Sequence, residues 1–177
     1  MTLIRPSRPP DLAAITALYA QHVLHSTGTF ETEPPTLAEM TARRDDVLTK
    51  QLPFLVAEDA GIIIGFAYCN WFKARPAYRY SAEDSIYMSP GAQRRGIGRA
   101  LLTELAARAE AAGVRKLIAV IGDSANVGSI GLHRSVGFTQ VGVLTSCGWK
   151  FDRWLDVVLM EKVLGAGDHC PPPAHGV

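Results

Sequence analysis

Residues Gln93-Arg94-Arg95-Gly96-Ile97-Gly98-Arg99-Ala100 join an apolar, strand-like run to a long amphipathic helical pattern. Glycines at such a junction permit a tight turn and leave several N–H groups at the helix start without intrahelical partners. Those bare N–H groups and the positive end of the helix dipole attract anions together. Arg94, Arg95 and Arg99 add cationic side chains able to reach the same ligand or its surroundings. The chemistry implied is the binding of a pyrophosphate. Two common phosphate loops do not match. A dinucleotide fingerprint needs a third glycine, where this chain has Leu101, and a triphosphate loop needs Gly-Lys-Ser/Thr, which is missing here.

Holding that loop requires a strand before it and a helix after it. The pattern predicts a strand over 83–88, stopped by Ser89-Pro90-Gly91, and a helix over 96–112 with Ile97, Leu101, Leu102, Leu105 and Ala109 on one face. Upstream, 2–5 reads as an edge strand and Pro10-Asp11 opens a helix. A second helix starts at Thr36, whose Glu39 completes a capping-box pattern. Strands at 54–58 and 62–69 form a hairpin about Asp59-Ala60-Gly61. Downstream come a buried strand at 117–121, a short helix at 126–135, and an antiparallel pair at 141–146 and 151–163. This order implies an α+β fold on a mixed sheet. One domain spans 1–164. The Gly-, Pro- and His-containing stretch 165–177 is expected to be a disordered tail.

The Q/R-x-x-G-x-G/A loop between strand and helix resembles that of the GNAT superfamily of N-acetyltransferases, and the resemblance covers residues 2–164. It implies the acyl-CoA N-acyltransferase fold: a mostly antiparallel central sheet flanked by helices, with one splayed parallel strand pair, here 83–88 and 117–121. It also implies acetyl-CoA as acetyl donor, with the pyrophosphate held at Arg94, Arg95, Gly96, Ile97, Gly98 and Arg99. Main-chain groups of Ile86, Tyr87 and Met88 would meet the pantetheine arm. The run from Asn126 through Ser129 and His133 to Gly137-Phe138 matches the family's N-x-x-A/S-x-x-L-[Y/H]-x-x-x-G-F signature. That makes Asn126 and Ser129 cofactor contacts, although an asparagine there is also an ordinary helix cap.

Acetyl transfer to nitrogen needs a neutral amine, so a base is useful. The strand Glu83-Asp84-Ser85-Ile86-Tyr87-Met88 resembles the Glu-x-x-Val/Ile-Tyr-Val of phosphinothricin and methionine sulfoximine/sulfone acetyltransferases, whose base falls on Glu83, with Asp84 as a competing carboxylate. Many superfamily members carry a tyrosine general acid where this chain has His133. The acid is therefore His133, water or another group, and a buried structural histidine is an equal reading. Trp71–Tyr78 resembles the family's substrate loop with Phe72 added. Lys73 and Arg75 would pair with an anionic group of the substrate, beside Tyr78 and Glu83, or else are surface charge. Phe30 would wall the pocket or simply pack. Trp154 and Asp156 match a late motif and hold the C-terminal hairpin or a dimer surface.

Composition narrows the partners. A chain of 177 residues with 47% apolar content suits one globular domain, and a net charge of +1 gives no reason to expect nucleic acid or membrane. Three cysteines with no metal-like spacing point to reduced thiols in the cytoplasm and no metal. The implied activity is acetylation of the α-amine of a small amino-acid analogue by a homodimer. The alternatives are another amine (a protein N-terminus, a lysine or a polyamine) and a non-catalytic acyl-CoA-binding module.

Overall fold

The computed structural model describes residues 2–172. A seven-stranded sheet runs in the order β1-β2-β3-β4-β5-β7-β6. In chain order these are β1 (Leu3–Pro6), β2 (Phe54–Asp59), β3 (Ile62–Trp71), β4 (Ser81–Met88), β5 (Lys116–Gly122), β6 (Thr139–Lys150) and β7 (Arg153–Val163). The helices are α1 (Leu12–His25), α2 (Leu37–Thr49), α3 (Ile97–Ala111) and α4 (Val127–Ser135). β4 and β5 are parallel, whereas the other neighbouring strands are antiparallel. This is the expected mixed, mostly antiparallel α+β sheet.

Side chains alternate between the faces of a strand, and β4 shows how the helices divide. Tyr87 packs edge-on against Tyr19 of α1 with ring centroids 4.9 Å apart. Met88, one residue on, faces α3 beside Gly98. Phe54, Phe66 and Tyr68 stack along the α1 face of β2 and β3. On the other face α3 buries Ile97, Leu101, Leu102, Leu105, Ala106 and Ala109, the stripe that helical spacing predicts. Leu101 and Leu105 are fully covered, so truncating either to alanine costs about 2–5 kcal/mol. The capping box at α2 forms as expected: Thr36 Oγ1 accepts from Glu39 N (3.2 Å) and the Glu39 carboxylate accepts from Thr36 N (2.7 Å).

The C-terminal hairpin differs from the sequence expectation. β6 does not stop at Ser146 but continues to Lys150, and the reversal falls on Phe151 and Asp152, with φ of 53° and 54°. The glycine at 148 suggests the turn comes earlier. Instead, the extra residues are absorbed in a bulge between Leu144 and Gly148, where Ser146 takes φ 51° and donates its N–H to Asp156 Oδ1 (3.0 Å). Asp156 also accepts from Ser124 Oγ, so this residue holds the hairpin. Trp154 lies on the outer surface against Trp149. Beyond β7, residues 165–170 continue as turns, with Gly167 N bonded to Leu164 O and His169 N to Ala166 O (3.0 Å each). The rest of the expected tail, 173–177, lies outside the described residues.

Candidate active site

The parallel ladder between β4 and β5 ends where Asp84 meets Ala119. From there the strands part. Residues 85–88 pair only with β3, and 120–122 pair only with β7. Main-chain groups in the middle of a sheet are thereby left facing a gap, and such groups need partners. The gap is the expected splay, and an extended amide-bearing arm fits it. One expected contact is already used, because His22 of α1 donates from Nε2 to Met88 O (3.0 Å). Burial and the charge of Lys150 hold the His22 ring below its ordinary proton affinity, against the pull of the Met88 bond.

Directly after β4 the chain makes one turn of 3-10 helix at Pro90–Ala92 and reaches Gly96, whose φ of 76° is left-handed. This turn starts α3, in which Ala100 N is bonded to Gly96 O (3.1 Å). The N–H groups of the three residues before it therefore point out of the helix end. A helix start of this kind suits an anion such as a pyrophosphate. The three arginines divide. Arg94, itself at φ 59°, is exposed at the turn. Arg95 pairs with Asp59 at 2.7 Å. Arg99 lines an open groove of about 410 Å³ with Thr103, Glu110 and Lys162.

On the α1 face of β4, Glu83 stands beside Asn70 of β3 and Ile118 of β5 in register, just before the splay. Burial raises its proton affinity, the Asp84 charge raises it further, and Lys73 opposes both. Of the loop's expected substrate cations, Lys73 is the one whose charge acts on this carboxylate. Its ammonium also sits 4.7 Å over the Phe72 ring. Arg75 is exposed and begins the short 3-10 turn Pro76–Tyr78, and Tyr78 packs edge-on against Phe72. Ser85 and Tyr68 share Glu83's face, directly opposite one another in the β3–β4 ladder. Strand alternation alone places them there, a signal the motif comparison passed over.

Asp84 points the other way. Its side chain is fully covered, and Oδ2 lies 2.9 Å from Nε2 of His133, which is 3% exposed. Nδ1 of His133 lies 2.8 Å from Ser129 O, and a carbonyl can only accept, so Nδ1 carries a proton. Burial alone would lower the ring's proton affinity, but the Asp84 bond and charge, with the Ser129 bond, override it and raise the pKa. Both ring nitrogens are occupied inside the protein, which is the structural-histidine alternative and keeps the ring from a reacting thioester. Oδ1 of Asp84 has no hydrogen-bond partner among the described residues. Cys69, opposite Asp84 on β3, is buried, and burial with the Asp84 charge pushes its thiol far up, leaving it no nucleophile.

Asn126 caps α4, Oδ1 accepting from Ser129 N (3.2 Å) and Nδ2 donating to Gly122 O (3.4 Å). Its amide is committed to the helix start. The Ser129 hydroxyl lies 3.4 Å from His133 Nδ1. Phe30 sits in the segment between α1 and α2, its ring against Gly148 and Gly122. No group of residues able to hold a metal ion occurs among the described residues. No described helix is long and apolar enough to cross a membrane.

The profile of the acetyltransferase (GNAT) family matches residues 17–138. The chain belongs to the GNAT family of acetyltransferases. A phosphinothricin N-acetyltransferase of Alcaligenes faecalis is 50% identical to it over 96% of this chain and 86% of that protein. The L-methionine sulfoximine/L-methionine sulfone acetyltransferase of Salmonella typhimurium is 34% identical over 97% of this chain and 98% of its own length. A GNAT superfamily phosphinothricin acetyltransferase from Sinorhizobium meliloti, solved in complex with acetyl-CoA, superposes with a TM-score of 0.93 at 43% identity, covering 97% of this chain and 92% of that one. As an N-acetyltransferase, this protein needs one opening for a thioester and another for an amine. The divergence of β4 and β5 connects the two faces on which the cofactor loop and Glu83 lie.

Proposed function

We propose that this acetyltransferase takes acetyl-CoA as donor and acetylates the α-amino group of a small amino-acid analogue of the phosphinothricin or methionine sulfoximine/sulfone type. The observation that carries this reading is Glu83: a half-buried carboxylate with raised proton affinity, at the mouth of the splay, with Lys73 near enough to be felt. The two relatives named for those substrates support the acceptor class.

When bound, the cosubstrate supplies an activated acetyl carbonyl on a good leaving group. The start of α3 and the turn at Gly96 would hold its diphosphate, and the main-chain groups of Ile86–Met88 that β3 and His22 leave free would pair with its amide arm. Lys73 and Arg75 orient the substrate's anionic group, which brings the amine toward Glu83. Glu83 takes the amine proton directly or through one water, a role worth about 10²–10⁴-fold in rate. Across the whole reaction an ammonium and a thioester become an amide, a thiol and one released proton, so Glu83 must pass its proton on to solvent each turnover. Its raised proton affinity suits a base that is both loaded and emptied near neutral pH. His133 acts through α4 rather than on the substrate.

The exposed apolar residues Val141, Val143, Trp149 and Trp154 on the outer hairpin favour a homodimer, and reduced thiols favour a cytoplasmic setting. The test is release of coenzyme A thiol across a panel of phosphinothricin, methionine sulfoximine, methionine sulfone, a polyamine, a lysine peptide and a peptide N-terminus. The first three are expected to lead in kcat/KM by at least about tenfold. Preference for a peptide or a polyamine overturns the acceptor class while leaving the acetyltransferase intact.

A further inference from the structure

The segment 26–31 crosses the divergence of β4 and β5 on Glu83's face. At one side it is tied to α1: Tyr19 hydroxyl lies 2.9 Å from both Thr29 Oγ1 and Glu31 Oε1, and the Tyr19 ring meets Tyr87 of β4. At the other side it rests on β5 and β6. Thr27 O lies where a Cβ on Gly122 would fall, and the Phe30 ring occupies the space a Cβ on Gly148 would need. Lys150, the last residue of β6, then reaches beneath the segment. It is 4% exposed, and its Nζ donates to Ser26 O and Thr29 O at 2.8 Å each.

A covered ammonium is costly unless its donors are met. Here the partners are carbonyls of an irregular segment that has no ladder of its own to satisfy them. Lys150 therefore does for this segment what a neighbouring strand would do: it fixes its height above the sheet. Gly122 and Gly148 let it come down far enough for the Phe30 ring to seat. The ring remains half-buried, so one side of it faces outward from that seat.

We propose that Lys150, acting with Gly122 and Gly148, is a positioning residue for the acceptor: it seats segment 26–31 as a fixed roof over the strand divergence, so that Phe30 closes the amine site at a depth suited to the side chain of a free amino acid. This rests on the acceptor class argued above. Lys150 acts through the segment it holds, and its expected effect is greater on the acceptor than on acetyl-CoA.

The experiment is steady-state kinetics with both substrates varied, on Lys150→Met, Lys150→Arg and Gly148→Ala, with acceptors graded in side-chain length. Lys150→Met keeps the reach and removes the donors. It is expected to raise acceptor KM about 10-fold or more while acetyl-CoA KM stays within about 2-fold, and to shift preference toward longer acceptors. Lys150→Arg, which still donates, restores most of the wild-type acceptor KM. Gly148→Ala displaces Phe30 and is expected to give the same acceptor-only signature, which carries the test if Lys150→Met does not fold. Unchanged acceptor KM and length preference in folded variants, or equal increases in both KM values, overturn the inference. Wild-type preference for peptide acceptors overturns it together with the acceptor class, so the two failures are told apart by the wild type.

Discussion

The two faces of β4 carry adjacent carboxylates in opposite conditions. Glu83 lies half-buried on the α1 face, with the Lys73 charge acting on it. Asp84 is sealed on the α3 and α4 side against His133, whose other ring nitrogen is held by the Ser129 carbonyl. One residue of offset separates a half-buried carboxylate from one fully covered and paired with a histidine. Composition treats the two as equivalent; the pleat decides which faces α1 and which is buried against His133.

The largest expected effect comes from Glu83→Gln, which keeps the shape and removes the base. Its kcat/KM is expected to fall about 10²–10⁴-fold, with a melting temperature no lower than wild type, because a charge that burial disfavours has gone. Steady-state rates and thermal melts on one preparation check this. A variant with full activity breaks the assignment of roles between the two faces.

Asp84→Asn is expected to act first on stability. Removing one partner of a covered ion pair costs about 3–5 kcal/mol, read as a lower denaturation midpoint. The pH dependence has a definite sign. His133 has its proton affinity raised in the fold, so the stability it contributes is complete below its ordinary value of about 6.5. That stability is lost as pH rises through the raised folded value. This alkaline loss is expected in wild type and absent in Asp84→Asn. Melting curves across pH that coincide in slope for the two proteins contradict the pairing.

The smallest effect is also the sharpest for the comparison. Asp84 raises the proton affinity of Glu83 and Lys73 lowers it. The acid limb of the kcat/KM profile is expected above the ordinary glutamate range, moving down in pH in Asp84→Asn and up in Lys73→Met. Shifts in the same direction would mean that Glu83 is not the titrating group.

Local patterns of sequence carried the elements. The stripe Ile97, Leu101, Leu102, Leu105 and Ala109 names its own buried face, and Thr36 with Glu39 names its cap. The cofactor loop was legible for the same reason: a glycine at a left-handed turn and a helix start are consecutive residues. The hairpin turn was not. Phe151 and Asp152 lack a glycine to announce positive φ, and the bulge at Ser146 is held by Asp156 from the opposite strand. The site's long-range parts were equally hidden, since nothing local to Lys150 indicates that its ammonium ends beneath residues more than a hundred positions earlier.

The amino-acid order thus determined the helices, the strands apart from the last hairpin, the left-handed turn before α3 and Glu83 as a candidate base, because each depends on neighbours along the chain. Only the folded arrangement decided that Asp84 and His133 face inward, that His22 occupies Met88 O, and that Lys150 and two glycines seat the segment bearing Phe30. Those outcomes depend on which face of the sheet a side chain meets and on the hydrogen-bond demands of groups buried far apart in sequence.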